Sequence, residues 1–266
     1  MSKEIVWGQK QQKILNAPYS HCLEVNEGTP RSGKTTVSVS RFAWYLWNTP
    51  DLNHMVLAYN QEQAFKLVMD CDGFGLLHIF DGISRMKHDD FGDHLEIETM
   101  KGIKRVYYKG AGKADSHKSF TGMSLGSVYF CEINLLHIDA IQEAFRRTYA
   151  SRIRWHIADL NPPAPSHPVI SEVFNIQDTK WTHWTIDDNP IITPERKEES
   201  ENLLRIPIYT NATGSVSGVS RKGLFIPCLT RSAIFSVIFR TAKAKSKCIS
   251  LVTAASLTLL RLAATW

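Results

Sequence analysis

The sequence has no Asp or Glu after Glu201, and that absence divides it in two. All 26 acidic residues lie at or before this position, while the remainder carries only bases, from Arg205 and Arg221 through Lys243, Lys245 and Lys247 to Arg261. A carboxylate-held metal site is therefore excluded from that stretch. The net charge of +5 and the pI near 8.9 come from the same tail, because the body before it holds more acids than bases. Overall basicity is then no argument for nucleic-acid binding. Cysteine is scarce: Cys22, Cys71, Cys131, Cys228 and Cys248 are scattered, odd in number and without C-x-x-C spacing. This excludes a zinc ribbon or disulfide frame and fits reduced thiols. The first residues, Met-Ser-Lys-Glu-Ile, lack an apolar signal core, so export is not expected. Long apolar runs are also missing, since Cys248 to Trp266 is broken by Arg261, and no stable membrane association is expected.

What is present suits one α/β core: 266 residues at 43% hydrophobic composition bury one such unit and little more. Gly28-Thr29-Pro30-Arg31-Ser32-Gly33-Lys34-Thr35 fits the phosphate-loop pattern G-x-x-x-x-G-K-S/T without a mismatch. Such a loop turns tightly while aiming backbone N–H groups at phosphate oxygens, which suits Gly28 and Gly33. Lys34 would reach the β- and γ-phosphates, Thr35 would offer its hydroxyl to Mg²⁺, and Thr36 follows in the helix whose positive end faces them. The pattern arises by accident in about one chain in a hundred of this length, so context decides. That context is favourable: Cys22 to Asn26 reads as a buried strand, and Thr36 to Trp47 has helical apolar spacing through Val37, Phe42, Ala43, Tyr45 and Leu46.

Upstream, Gln11 lies where a side-chain amide, both donor and acceptor, can read an adenine edge; a solvated helix face is the other reading. Downstream, strands are expected at His54 to Tyr59, Leu95 to Glu98 and Arg105 to Tyr108, with a helix at Gln63 to Met69. From Leu76 to Asp93 the pattern weakens. The polar loop from Lys109 to Gly122 can approach phosphate or DNA, or be an ordinary exposed loop.

Ser127 to Cys131 is an apolar strand ending in Glu132, about a hundred residues after the phosphate loop. This is how a P-loop ATPase supplies its water-activating carboxylate, and in open parallel sheets both features meet at the carboxyl edge. Many such motors place Asp-Glu here; Cys131 stands at the first position, and a neutral thiol is a poor ligand for hard Mg²⁺. A helix from Ile138 to Tyr149 follows, and Arg146, Arg147, Arg152 and Arg154 at and beyond its end can cap it, touch DNA or sense phosphate. Trp155 to Pro163 reads as a strand stopped by prolines, with Asn161 at its carboxyl end as a γ-phosphate sensor or as the start of a plain turn.

From Glu4 to about Leu204 the chain resembles the large-terminase family, the motors that package DNA into phage heads, in a PBSX-like branch. The resemblance is carried by GTPRSGKT, Gly126 to Asn134, Asp159-Leu160-Asn161-Pro162-Pro163 and Trp184 to Pro190. It implies an α/β P-loop NTPase with a mainly parallel central sheet flanked by helices, using ATP and Mg²⁺. It further implies Arg31 as a cis arginine finger, Glu132 as base, Lys34 on phosphate charge, Thr35 on the metal and Asn161 as coupling residue. Thr29, Pro30 and Ser32 complete the nucleotide loop, and Gln11 matches the adenine contact. The implied partners are double-stranded DNA, the small terminase subunit, the portal protein and further copies of the chain, in the cytoplasm of a bacterium carrying a phage or prophage.

The expected organisation is an ATPase domain over 1–175, a linker over 176–204 and an acid-free tail over 205–266. Family members continue into a two-metal nuclease domain, which this tail cannot form without carboxylates. A frameshift after Leu204 accounts for the tail; a basic DNA-binding or membrane-surface segment is the alternative. For the whole, the alternatives are a nucleotide- or portal-binding remnant without turnover and, less well matched, a P-loop kinase or helicase. Translating the other frames of the nucleotide sequence beyond Leu204 is expected to give an acidic, nuclease-like continuation, and its absence would count against the frameshift.

Overall fold

Among the described residues, eight strands form a single sheet in the order β3-β4-β5-β2-β6-β7-β1-β8. The computed structural model describes residues 5–197 and 199, so the expectations for 205–266 lie outside the described residues. The strands are β1 (Leu23–Gly28), β2 (Asn53–Ala58), β3 (Ser84–Asp89), β4 (Gly92–Thr99), β5 (Gly102–Gly110), β6 (Ser127–Phe130), β7 (His156–Leu160) and β8 (Thr179–Trp184). The α-helices are α1 (Gln9–Leu15), α2 (Lys34–Asn48), α3 (Gln61–Ala64, continued as a π-turn through Asp70), α4 (Leu76–Ile79) and α5 (Ile138–Arg147). The run β5-β2-β6-β7-β1-β8 is parallel, while β3 and β4 join it as antiparallel hairpins. This is the expected α/β sheet, mainly parallel and flanked by helices.

Strand alternation sorts the two faces. Leu23 and Val25, Met55 and Leu57, Val128 and Phe130, and Ala158 and Leu160 join one apolar cluster with Ala140, Ile141, Ala144 and Phe145 of α5. The alternate residues meet α2: Glu24 pairs with Arg41, Asn26 donates to Ser38, and Tyr129 packs edge-on against Phe42 at 5.7 Å. Each face has its own helix because the central strands are buried on both sides, as parallel strands of such a sheet are.

Two elements were hidden in the sequence. β3 is the outer strand, and most of its side chains are exposed, so it carries no apolar alternation. β8 lies at the opposite edge as Thr-Lys-Trp-Thr-His-Trp, with only Trp184 buried. Its pairing with β1 over the whole strand means that the segment expected as a linker from 176 supplies the sheet's last strand. Polar edge strands read like loops because half or more of their surface faces water. Among the described residues, no helix is long and apolar enough to cross a membrane.

The central layer buries two neutral histidines. His54 faces Ser127 Oγ at 2.8 Å and the Asp51 carbonyl at 3.1 Å, and burial holds its pKa down to about 4. His156 accepts from the Val128 N–H at 3.1 Å through Nδ1, and burial, with help from Arg154, holds it down to about 3. Above about pH 6.5 both are neutral folded or unfolded, so their contribution is constant. Below it the unfolded chain gains a proton on each that the folded chain refuses, and stability falls by about 1.4 kcal/mol per pH unit per histidine. The loss from His54 is complete near pH 4 and that from His156 near pH 3. Urea denaturation between pH 7 and 5 is expected to show the sum of the two slopes, and His54→Asn is expected to remove about half of it.

Candidate active site

The phosphate loop leaves β1 at Gly28 and enters α2 at Lys34, with Gly33 as N-cap at φ +82°. The first helical bond of α2 runs from the Val37 N–H to the Gly33 carbonyl at 3.2 Å, so the amides of Lys34, Thr35 and Thr36 have no acceptor in the helix. No capping side chain and no acid in the first turn offset them, which leaves a helix N-terminus matched to an anion. Within the loop the hydroxyls of Thr29 and Ser32 are buried without partners. A buried hydroxyl left unpaired is costly, and a phosphate oxygen would satisfy it.

The two glycines serve different ends. A Cβ on Gly28 would come within 2.1 Å of the Trp184 carbonyl oxygen, so β8 demands its smallness. Gly33 takes the left-handed conformation, and a Cβ there would stand 2.8 Å from Gln11 Nε2. Gln11 is buried against the loop, and its Oε1 accepts from the Gly8 N–H at 2.8 Å. One acceptor of the amide is thus committed within α1's own first turn.

β8 and the turn after it brace the loop. The Thr29 N–H donates to the Trp184 carbonyl at 3.1 Å, and Trp184 Nε1 donates to Asn26 Oδ1 at 2.9 Å. Asn189 Nδ2 donates to the Arg31 carbonyl at 2.7 Å, at the loop's tip, where Arg31 is left-handed with φ +64°. Pro30 and the Arg31 side chain are exposed.

β7 lies between β1 and β6, so the ends of these three parallel strands share the sheet's carboxyl edge. Lys34 Nζ donates to Asn161 Oδ1 at 2.9 Å and to the Thr29 carbonyl at 3.3 Å. Burial lowers its pKa, opposed by the negative charges of Asp159 and Glu132. Glu132 follows β6, half-buried, with φ +49°, a strained value for a non-glycine residue and a frequent mark of functional sites. Burial raises its carboxyl pKa, Asp159 adds to that rise, and Lys34 opposes it. Lys34, Asn161 and Glu132, far apart in sequence, therefore share one edge. Thr35 and Thr36 are half-buried in the first turn of α2. Cys131 is buried, and burial together with Asp159 pushes its thiol well above its ordinary range, so it is neutral.

One residue was not singled out from the sequence. Asp159, 1% exposed, accepts from Tyr129 Oη at 2.7 Å and from the Glu132 N–H at 2.9 Å. Its signal was present: a carboxylate within the apolar strand His-Ile-Ala-Asp-Leu needs donors nearby.

A parallel sheet carrying a phosphate loop at the carboxyl edge of β1, with a further strand between it and the acid-bearing β6, defines a P-loop NTPase fold. The model of the family described as "Terminase large subunit, T4likevirus-type, N-terminal" matches residues 27–210, and the chain belongs to this family. The PBSX-like branch rests on the motifs alone. No curated protein sequence matches the chain. Among solved structures, the large terminase of a thermophilic bacteriophage is similar at TM-score 0.66 and 20% identity, over 77% of this chain and 52% of that one. The same phage protein in complex with ATP-gamma-S gives 0.64 and 21%, over 77% and 51%. A variant of the Thermus phage P74-26 large terminase ATPase domain gives 0.51 and 18%, over 77% and 90%. The chain thus spans about half the length of the first of these proteins. Identities this low carry the fold and no more.

Asn26 joins three elements, accepting from Trp184 in β8 and donating to Ser38 in α2 at 2.8 Å. Asn26→Leu strands both buried partners and is expected to cost about 2 kcal/mol or more in urea denaturation.

Proposed function

We propose that this chain is the ATPase portion of a phage large terminase, hydrolysing ATP to drive double-stranded DNA into a procapsid. The observation that carries the reading is the convergence of Lys34, Asn161 and Glu132 on one sheet edge beside an uncapped helix N-terminus. ATP fits that edge, because the unpaired hydroxyls of Thr29 and Ser32 and the ammonium of Lys34 suit a polyphosphate. Mg²⁺ fits as well, since Thr35 and Glu132 offer hard oxygen donors, and when bound it would screen the charge of the β- and γ-phosphates.

In this reading Lys34 leaves Asn161 for the γ-phosphate, and the freed amide of Asn161 reports the change to β7. Glu132, held in range of Lys34, orients the attacking water and accepts its proton. Arg31, exposed on the loop, reaches the transferring group as a finger in cis, and Gln11 sits by the loop as the base contact. The partners are the small terminase subunit, the portal protein and further copies of the chain, in the bacterial cytoplasm. No nuclease step is assigned to the residues after Glu201.

Phosphate release by the purified chain is expected to fall about 100-fold or more in Lys34→Ala and in Glu132→Ala. Equal release from all three proteins would overturn the enzyme reading. A second reading, a nucleotide-binding remnant without turnover, is favoured by the neutral thiol of Cys131 where an acid is common. It predicts ADP binding by the wild type with no release above background.

A further inference from the structure

The geometry points to Asp159 as the positioning carboxylate of this site, standing in for the acid that Cys131 lacks. This inference rests on the ATPase reading above. β6 and β7 pair with Phe130 opposite Ala158, so one step further Cys131 stands opposite Asp159. Alternation then puts Tyr129, Cys131 and Asp159 on the α2 face of the sheet, the face from which the phosphate loop arises. The carboxylate missing from the end of β6 is thus found at the same level on the adjacent strand, nearer to β1.

The contacts of Asp159 give it a task. Buried carboxylates need donors, and this one has Tyr129 Oη at 2.7 Å and the Glu132 N–H at 2.9 Å. The bond to the Glu132 amide fixes the residue at its left-handed turn, φ +49° and ψ 54°, a conformation a glutamate holds only when its surroundings impose it. A charge-assisted bond to that N–H is such a constraint. Asp159 also supplies the largest of the negative charges acting on Lys34. It therefore sets both the orientation of Glu132 and part of the field at the phosphate-binding lysine, without needing to touch nucleotide itself.

Cys131 and Asp159 stand at one level on neighbouring strands, so the carboxylate can be moved from one to the other with little change of volume. The test is a cycle of Asp159→Asn, Cys131→Asp and the double variant, with kcat and KM from phosphate release, ADP affinity from calorimetry and Tm for each. Asp159→Asn is expected to lower kcat about 100-fold while KM and ADP affinity stay within about threefold. Cys131→Asp alone puts two carboxylates side by side in a buried site and is expected to lower activity too. In the Asp159→Asn background the same change is expected to restore kcat to within about tenfold of the wild type. This reversal of sign is what a purely structural aspartate would not give.

Wild-type turnover with Asp159→Asn within about twofold of it would overturn the inference alone, as would a folded double variant no better than Asp159→Asn. Should Asp159→Asn fail to bind ADP, the double variant decides: turnover supports the exchange, and a folded, inactive protein overturns it. Absence of turnover in the wild type would overturn the ATPase reading and this inference with it.

Discussion

The buried pair between Arg41 and Glu24 is the constraint on which the rest of the architecture depends. Arg41 is fully buried, and each of its five N–H donors has an acceptor: both Glu24 carboxylate oxygens and the carbonyls of Ile14, Ala17 and Pro18. The ring of Tyr19 lies 4.3 Å from its guanidinium. A guanidinium out of water is tolerated only with such complete pairing, and removing one partner from a buried pair costs about 3–5 kcal/mol. The chain obtains in exchange a fixed geometry: Glu24 is in β1, Arg41 in α2, and the three carbonyls end α1 and begin the segment into β1. Strand and helix on either side of the phosphate loop are thereby bolted together one turn or more away from it. The loop does not have to hold its own ends in place.

Given that frame, the site is a balance of charge in a half-dry cleft. Lys34 has lost part of its hydration and is compensated by carboxylates on the two strands beyond β1, while Asn161 accepts one of its hydrogen bonds. Glu132 is shifted the other way, toward holding its proton, by burial and by Asp159. A lysine easier to deprotonate and a glutamate easier to protonate are groups whose states respond to an incoming polyanion. The contact that Lys34 makes with Asn161 is to a neutral amide, a partner that a phosphate can displace.

Much of this was legible in the sequence because parallel sheets write their core strands plainly. The strands at Leu23, His54, Ser127 and His156 are short buried runs, and the phosphate loop, Glu132 and Asn161 stand at the ends of three of them. Other features left little trace. β3 and β8 are half-solvated edges, so their polar residues resemble a loop. A further demand on Gly28 left no trace for a related cause: it comes from the backbone oxygen of Trp184, remote in the chain, and only the pairing of β1 with β8 brings it close. Asp159 was visible as a letter in the strand, but its meaning depended on the register that sets it opposite Cys131.

β8 carries a consequence for how the chain can be cut. It covers the outer edge of β1, receives the Thr29 amide, fixes Asn26 through Trp184 and leads to the Asn189 side chain that holds the loop tip. A fragment trimmed at residue 175 would present β1 as an open ladder at the sheet's edge, a surface that recruits other chains. It would also leave the glycine-lined turn untethered on one side. Insolubility and a loosened phosphate loop would then arrive together, from the removal of a strand with no reacting group of its own.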